Sequence, residues 1–138
     1  MEMLKKPLAE YLLDRSLEEL HQESVKWVSD IELWKIELNF FQKLLDKHSL
    51  EFETVDEKKE IDHYQNLITY YGGELLDEFK QLVRRHENNL AKEYAMNGKA
   101  NEDEYRAKHQ DLLLRIYAFD TEFKAYKAEF FGFIEKVL

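Results

Sequence analysis

The sequence predicts an all-α fold, an elongated antiparallel bundle of three long helices that run up, down and up. Two observations predict it most directly. Apolar residues recur at alternating steps of three and four along three long segments, and the 138 residues include only one Pro and four Gly. Composition agrees, because 36% charged and 14% aromatic residues suit a helical rod with a large polar surface and a bulky apolar interior. We expect a single domain over residues 1–138.

Helix A is predicted over residues 16–48. Ser16, followed three residues later by Glu19, has the spacing of a capping box at a helix start. Residues 1–15 form an N-terminal segment in which Pro7 suits a first helical turn, so this segment is either a separate short helix or an extension of helix A. Residues at heptad steps, all apolar except Ser24, mark the buried side of helix A: Leu17, Leu20, Ser24, Trp27, Ile31, Trp34, Leu38, Phe41 and Leu45.

Helix B is predicted over residues 55–96, with Thr54 and Glu57 as its capping box. Its buried series is Ile61, Tyr64, Ile68, Tyr71 and Leu75, followed after a change of phase by Phe79, Leu82, His86, Leu90 and Tyr94. The change of phase coincides with Gly72-Gly73, and each glycine costs about 1 kcal/mol relative to Ala inside a helix. Three interpretations follow: a kink or the close approach of a large side chain, a split helix that opens a small aromatic pocket, or a true break that gives four helices.

Helix C is predicted over residues 101–137 and has the most regular pattern in the chain. Gly98 suits a left-handed end for helix B, and Asn101 suits an N-cap for helix C. The buried series is Tyr105, His109, Leu112, Ile116, Phe119, Phe123, Tyr126, Phe130, Phe133 and Val137, in which only His109 is not clearly apolar. A repeat of two in seven over this length requires other long helices alongside it, as in a coiled coil.

Helices A and C each carry a second line of residues outside the main seam. The line on helix A is bulky and apolar: Leu33, Ile36, Phe40 and Leu44. The line on helix C is small: Ala118, Thr121, Ala125, Ala128 and Gly132. These lines either widen the core and contact residues 4–13, or form a surface for self-association or for a partner helix. We expect the second, most simply in a two-fold dimer, because bulky stripes need cover and small side chains permit close approach.

Three histidines are predicted to meet at one end of the bundle. An up-down-up arrangement brings His21, His86 and His109 to the same end, with Glu18 nearby, and a transition metal accepts imidazoles and a carboxylate. The alternative is an ordinary polar bundle end with hydrogen-bonded or solvated histidines. A second arrangement, pairing the Glu-x-x-His spacings that end at His21 and His63, is disfavoured because antiparallel helices place them at opposite ends.

Charge and motifs exclude several function classes. A formal charge of −9, with Lys and Arg interleaved among acids, argues against nucleic acid as a partner. Nothing approaches the run of about 18 apolar residues needed for a membrane span, and the first residues lack the apolar run of a signal peptide, so we expect a cytoplasmic protein. There is no Cys and no phosphate-binding loop or nucleophile elbow. We expect no cofactor and a non-enzymatic interaction or scaffold protein; the alternative is a small-ligand or metal-binding bundle.

Overall fold

The chain forms three long helical rods. The computed structural model describes residues 14–96 and 99–138, and of these the side chains of 14–92 and 102–138. The helices are α1 (Leu17–His48), α2 (Val55–Tyr70), α3 (Leu76–Met96) and α4 (Lys99–Ile134), and a π-helical turn, Tyr71–Leu75, joins α2 to α3. Short 3₁₀ turns follow α1 at Ser49–Glu51 and α4 at Glu135–Val137. The described residues contain no strand, and the predicted all-α three-helix bundle is confirmed.

Contacts between the rods give the up-down-up direction. Along α1 and α4 the partners rise together, since Trp27 contacts His109 and Trp34 contacts Phe119. The middle rod consists of α2, the π-helical turn and α3. Between α1 and this rod the order of contacts is reversed: Glu32 pairs with Lys80 at 2.6 Å, whereas Gln42 forms a hydrogen bond with Gln65 at 2.7 Å. The first and last rods are therefore parallel to each other and antiparallel to the middle one.

Two of the three predicted helix starts are confirmed. Ser16 and Thr54 each accept a hydrogen bond from the backbone N–H three residues later, at 3.1 Å, and Glu19 and Glu57 complete the capping boxes. The third was wrong, because α4 begins at Lys99 and Asn101 lies inside it. The predicted ending of helix B at residues 97–98 and the question of residues 1–13 lie outside the described part of the chain.

The change of phase in the middle rod is a π-helical turn. The buried series steps by five residues from Tyr71 to Leu76, so Leu76 and Val83 are fully buried where the sequence pattern favoured Leu75 and Leu82, which are only partly buried. The helix resumes directly at Leu76, so the described chain has no break here that would give a fourth helix. The side chain of Tyr94 lies outside the described residues.

The glycines of this turn are not needed for close packing. A β carbon added at Gly72 would meet Cδ1 of Leu38 at 3.7 Å, an ordinary contact, and one added at Gly73 would meet nothing within 4 Å. Close approach of a large side chain therefore does not explain them. What packs at this level is Tyr71, whose ring contacts those of Phe119 and Phe123.

The core is aromatic at one end and mixed at the other. From the middle of the bundle to the C-terminal end of α4, rings of Phe41, Tyr64, Tyr126 and Phe130 contact one another at centroid distances of 4.8–6.2 Å. Toward the start of α1, a separate small apolar cluster contains Leu20, Leu90 and Tyr105. Between the two clusters lie buried polar side chains, and these form the candidate site.

Candidate functional site

Two histidines face each other inside the bundle. His86 on α3 and His109 on α4 occupy core positions of their helices, with 2% and 0% of their surfaces exposed. Nε2 of His86 lies 2.9 Å from Nδ1 of His109, a hydrogen bond between imidazoles. The heptad pattern places both rings inward, and the antiparallel pairing of α3 with α4 brings them to one level. The structure thus brings together two of the three histidines that the sequence singled out.

The carboxylate at this cluster comes from Glu23 on α1. Its Oε1 lies 2.7 Å from Nε2 of His109, and the Glu23 side chain is 17% exposed. Trp27, one turn later on the same helix, stacks on the His109 ring at 4.5 Å. Tyr105 covers the other imidazole, stacking on His86 at 4.0 Å with the rings nearly parallel. A continuous polar chain therefore runs from Glu23 through His109 to His86 between aromatic walls.

The other two predicted ligands lie apart from this chain. Glu18 is exposed, and its Oε1 accepts a hydrogen bond from Nε2 of Gln22 at 3.0 Å. His21 is half-buried, with an Nδ1 that has no hydrogen-bond partner among the described residues. Over the same residues, no group of three or more His, Asp and Glu side chains is arranged to hold a metal ion. Metal binding at His21, His86, His109 and Glu18 draws no support from this geometry and stays a prediction.

Burial controls the protonation of His86. It lowers the pKa of His86 to about 3, with smaller contributions from the charges of His109 and Lys108, so this imidazole is neutral at pH 7. A carboxylate only accepts hydrogen bonds, so Nε2 of His109 donates to Glu23. If His109 is neutral, its Nδ1 accepts from Nε2 of His86; if it is charged, its Nδ1 donates instead. Nδ1 of His86 is accordingly an acceptor in the first state and a donor in the second.

A groove between α3 and α4 has His86 in its wall. Its volume is about 260 Å³. The lining combines apolar, cationic and amide side chains: Leu82, Arg85, His86, Asn89, Lys108, Asp111, Leu112 and Arg115. Nδ1 of His86 is buried and has no hydrogen-bond partner among the described residues. The sequence pattern brought His86 to this end of the bundle but gave no sign that a groove forms beside it.

The second candidate surface lies on the outer sides of α1 and α4. Leu33, Ile36 and Phe40 are 55%, 66% and 52% exposed, whereas Leu44, at the end of the same line, packs partly against the core. All members of the small line on α4 are exposed: Ala118, Thr121, Ala125, Ala128 and Gly132. Two further exposed rings on α4 were missed by the sequence analysis, Tyr117 at 47% and Phe131 at 45%.

A depression opens between α1 and α4 beside these residues. Its volume is about 350 Å³, and Trp27, Trp34, Leu113, Ile116 and Tyr117 contribute its apolar lining. Charged side chains of both signs also line it, Lys26 and Asp30 on α1 with Asp120 and Lys124 on α4. Because Tyr117 is also half-exposed, the depression opens to the same outer side as the apolar residues.

Comparison with known proteins adds no relative. No protein-family model matches the chain, and neither the curated proteins nor the solved structures contain a match. None of the helices in the described ranges is both long enough and apolar enough to cross a lipid bilayer. Function is therefore inferred from the geometry of the two candidate surfaces.

Proposed function

We propose that this protein is a non-enzymatic interaction module that self-associates through the outer faces of α1 and α4, most simply as a two-fold dimer. The observation that carries the proposal is the exposed stripe of Leu33, Ile36 and Phe40. Three large apolar side chains in helical succession, each more than half exposed, form a contiguous patch of the kind that is often an interaction site, whereas single exposed apolar residues are ordinary.

The exposed rings extend this stripe from α1 toward α4. Phe40 and Phe131 both neighbour the buried ring of Phe41, at centroid distances of 6.2 Å and 5.3 Å. The two exposed rings thus flank one buried ring at the seam between the helices. Together with Leu33, Ile36 and Tyr117 they expose roughly 500 Å² of side chain, taking about half of each side chain's surface. A standard interface buries about 800 Å² per partner.

The small residues of α4 supply a complementary face. An interface with two-fold symmetry contains the same patch twice, so a bulky stripe on one copy must pack against a surface of small side chains on the other. The exposed line through Ala125 and Ala128 is such a surface, since its short side chains let an opposing helix approach closely. The depression lined by Trp27 and Trp34 can accept a protruding ring, which is the usual arrangement at the centre of an interface.

The experiment is sedimentation equilibrium on the full chain and on Ala125→Glu. We expect the wild type to sediment above the monomer mass and Ala125→Glu to sediment as a monomer, because a carboxylate at the centre of the interface loses its hydration without gaining a partner. Ala107→Glu is the matched control, since Ala107 is another exposed alanine of α4 and lies outside the small line. Circular dichroism at 222 nm checks that all three proteins stay helical.

A wild type that sediments as a monomer at the highest accessible concentration refutes self-association. An Ala125→Glu protein that associates as strongly as the wild type refutes the assigned face. If Ala107→Glu also dissociates the oligomer, the effect comes from added negative charge rather than from this surface, and the assignment fails again.

A further inference from the structure

We propose that the groove between α3 and α4 binds a small organic carboxylate of about the size of a substituted benzene ring. The site is separate from the association surface, which uses α1 and the outer side of α4. Three features lead to this ligand class: the charge of the groove's rim, its apolar floor and the buried, unpaired Nδ1 of His86 in its wall.

The rim is cationic in an acidic protein. The chain carries a formal charge of −9, yet the groove is lined by Arg85, Lys108 and Arg115 against the single carboxylate of Asp111. Arg115 pairs with Asp111 at 3.2 Å within α4, and both side chains are at least half exposed. Exposed pairs of this kind contribute little free energy, so a carboxylate ligand can replace Asp111 at small cost. A guanidinium also binds a carboxylate through two parallel hydrogen bonds.

The floor is apolar and matches a ring in size. Leu82 and Leu112 line it from opposite helices, and the His86 ring adds a flat aromatic edge. A cavity of about 150 Å³ holds a benzene molecule, so the volume of about 260 Å³ found here suits a ring that carries a carboxylate. Such a combination of apolar wall and few polar groups is typical of small-molecule sites.

His86 supplies a polar atom that lacks a partner. Its Nδ1 is buried, His86 is only 2% exposed, and no described residue forms a hydrogen bond to this atom. A buried polar atom left unpaired costs free energy, which a ligand group or a water carried in with it recovers. Because the link to His109 lets Nδ1 act as a donor or an acceptor, it can meet either a carboxylate oxygen or a hydroxyl of the ligand.

Titration of the full chain with benzoate tests the site, with binding measured by ¹H–¹⁵N NMR chemical shifts and by calorimetry. We expect saturable binding, with the shifts concentrated at Leu82–Asn89 and 108–115. Arg85→Gln should weaken benzoate about tenfold, the effect of losing one charged hydrogen bond. Arg84→Gln is the matched control, because Arg84 is the exposed neighbour of Arg85 and does not line the groove; it should change the affinity less than twofold. Benzamide, the neutral isostere, should bind at least tenfold more weakly than benzoate.

Several results would overturn the proposal. Shifts that grow linearly with benzoate at millimolar concentrations, without saturation, mean that the groove has no site. Equal affinity for benzamide and benzoate means an apolar cavity without anion recognition. Equal weakening by Arg84→Gln and Arg85→Gln means a general effect of surface charge. Since both arginines are exposed, neither substitution is expected to unfold the chain, and circular dichroism verifies this.

Discussion

Stability below neutral pH should depend on His86. Burial holds the folded-state pKa of His86 near 3, against an ordinary value of 6.5 for the unfolded chain. As the pH falls below 6.5, His86 binds a proton in the unfolded state but stays neutral in the native state. The free energy of unfolding therefore decreases until the pH reaches the folded-state pKa. The native stability linked to a neutral His86 is therefore fully present above pH 6.5 and is lost between pH 6.5 and 3.

The size of the effect follows from these two pKa values. Between pH 7 and pH 5 the proton taken up by the unfolded chain at this position lowers the free energy of unfolding by about 2 kcal/mol. Substituting Gln for His86 removes the titrating group and keeps an amide that can donate to Nδ1 of His109. The variant also loses the stacking of His86 on Tyr105, so its stability at pH 7 is lower and the slope with pH is the informative quantity.

The assay is urea unfolding at pH 7, 6 and 5, followed by circular dichroism at 222 nm, for the wild type, His86→Gln and His63→Gln. Ionisable groups far from the substituted positions are common to all three proteins and cancel in the comparison. We expect the wild type to lose about 2 kcal/mol more than His86→Gln over this range. His63 is exposed and should leave the wild-type slope unchanged. Parallel curves for the wild type and His86→Gln would refute the reasoning, because a neutral buried imidazole must produce the difference.

Two further predictions concern the middle rod. Gly73→Ala should raise the free energy of unfolding by about 0.5–1 kcal/mol in urea, because the added methyl group meets no atom and the unfolded chain loses freedom; a loss of stability would show that the π-helical turn itself requires glycine. Tyr71→Phe should cost about 1 kcal/mol, since the Tyr71 hydroxyl donates to Oε1 of Glu122 at 2.6 Å. The exposed neighbour Tyr70 gives the control, and a loss as large for Tyr70→Phe would contradict this role.

The fold could be predicted because the main seams are long and regular. Heptad spacing identified every buried position of α1 from Leu20 to Leu45, whereas Leu17, which the same series included, is only partly buried. The two capping boxes marked their helix starts to the residue. The prediction failed where the backbone left the α-helical period. A π-helical turn adds one residue to the seam. Because Leu75 and Leu76 are adjacent and both apolar, the sequence pattern cannot show which of the two faces inward.

Ends of helices were the other weak point. Phe52, in the connection after α1, is buried and stacks on Phe133 at 4.3 Å, yet it belongs to no helical series and gave no signal. Its burial depends on how the chain turns between Ser49 and Thr54, which the sequence shows only as a break. Likewise Ile134 is fully buried beside Phe133, at the point where α4 ends and a 3₁₀ turn begins.

The candidate site was half predictable for a related reason. Heptad positions place His86 and His109 inward whatever their chemistry, so their meeting followed from topology alone. The carboxylate did not, because Glu18 and Glu23 are both near the start of α1 and only their rotation around the helix separates them. Glu23 precedes Trp27 by four residues and so lies on the same side as a core ring. That spacing was the available signal, and it favours Glu23 over Glu18.

The two proposed surfaces can be tested independently, because they share only one helix and use different stretches of it. On α4 the groove takes Lys108, Leu112 and Arg115, whereas the small line begins at Ala118 and runs toward the C-terminus. Ala125→Glu should therefore leave benzoate affinity unchanged, and Arg85→Gln should leave the sedimentation mass unchanged. If Ala125→Glu weakens benzoate binding as well, the binding site is complete only in the assembled protein, and the second copy must contribute to it. If each substitution affects only its own assay, one bundle carries two sites, one for a second copy of the chain and one for a small anion.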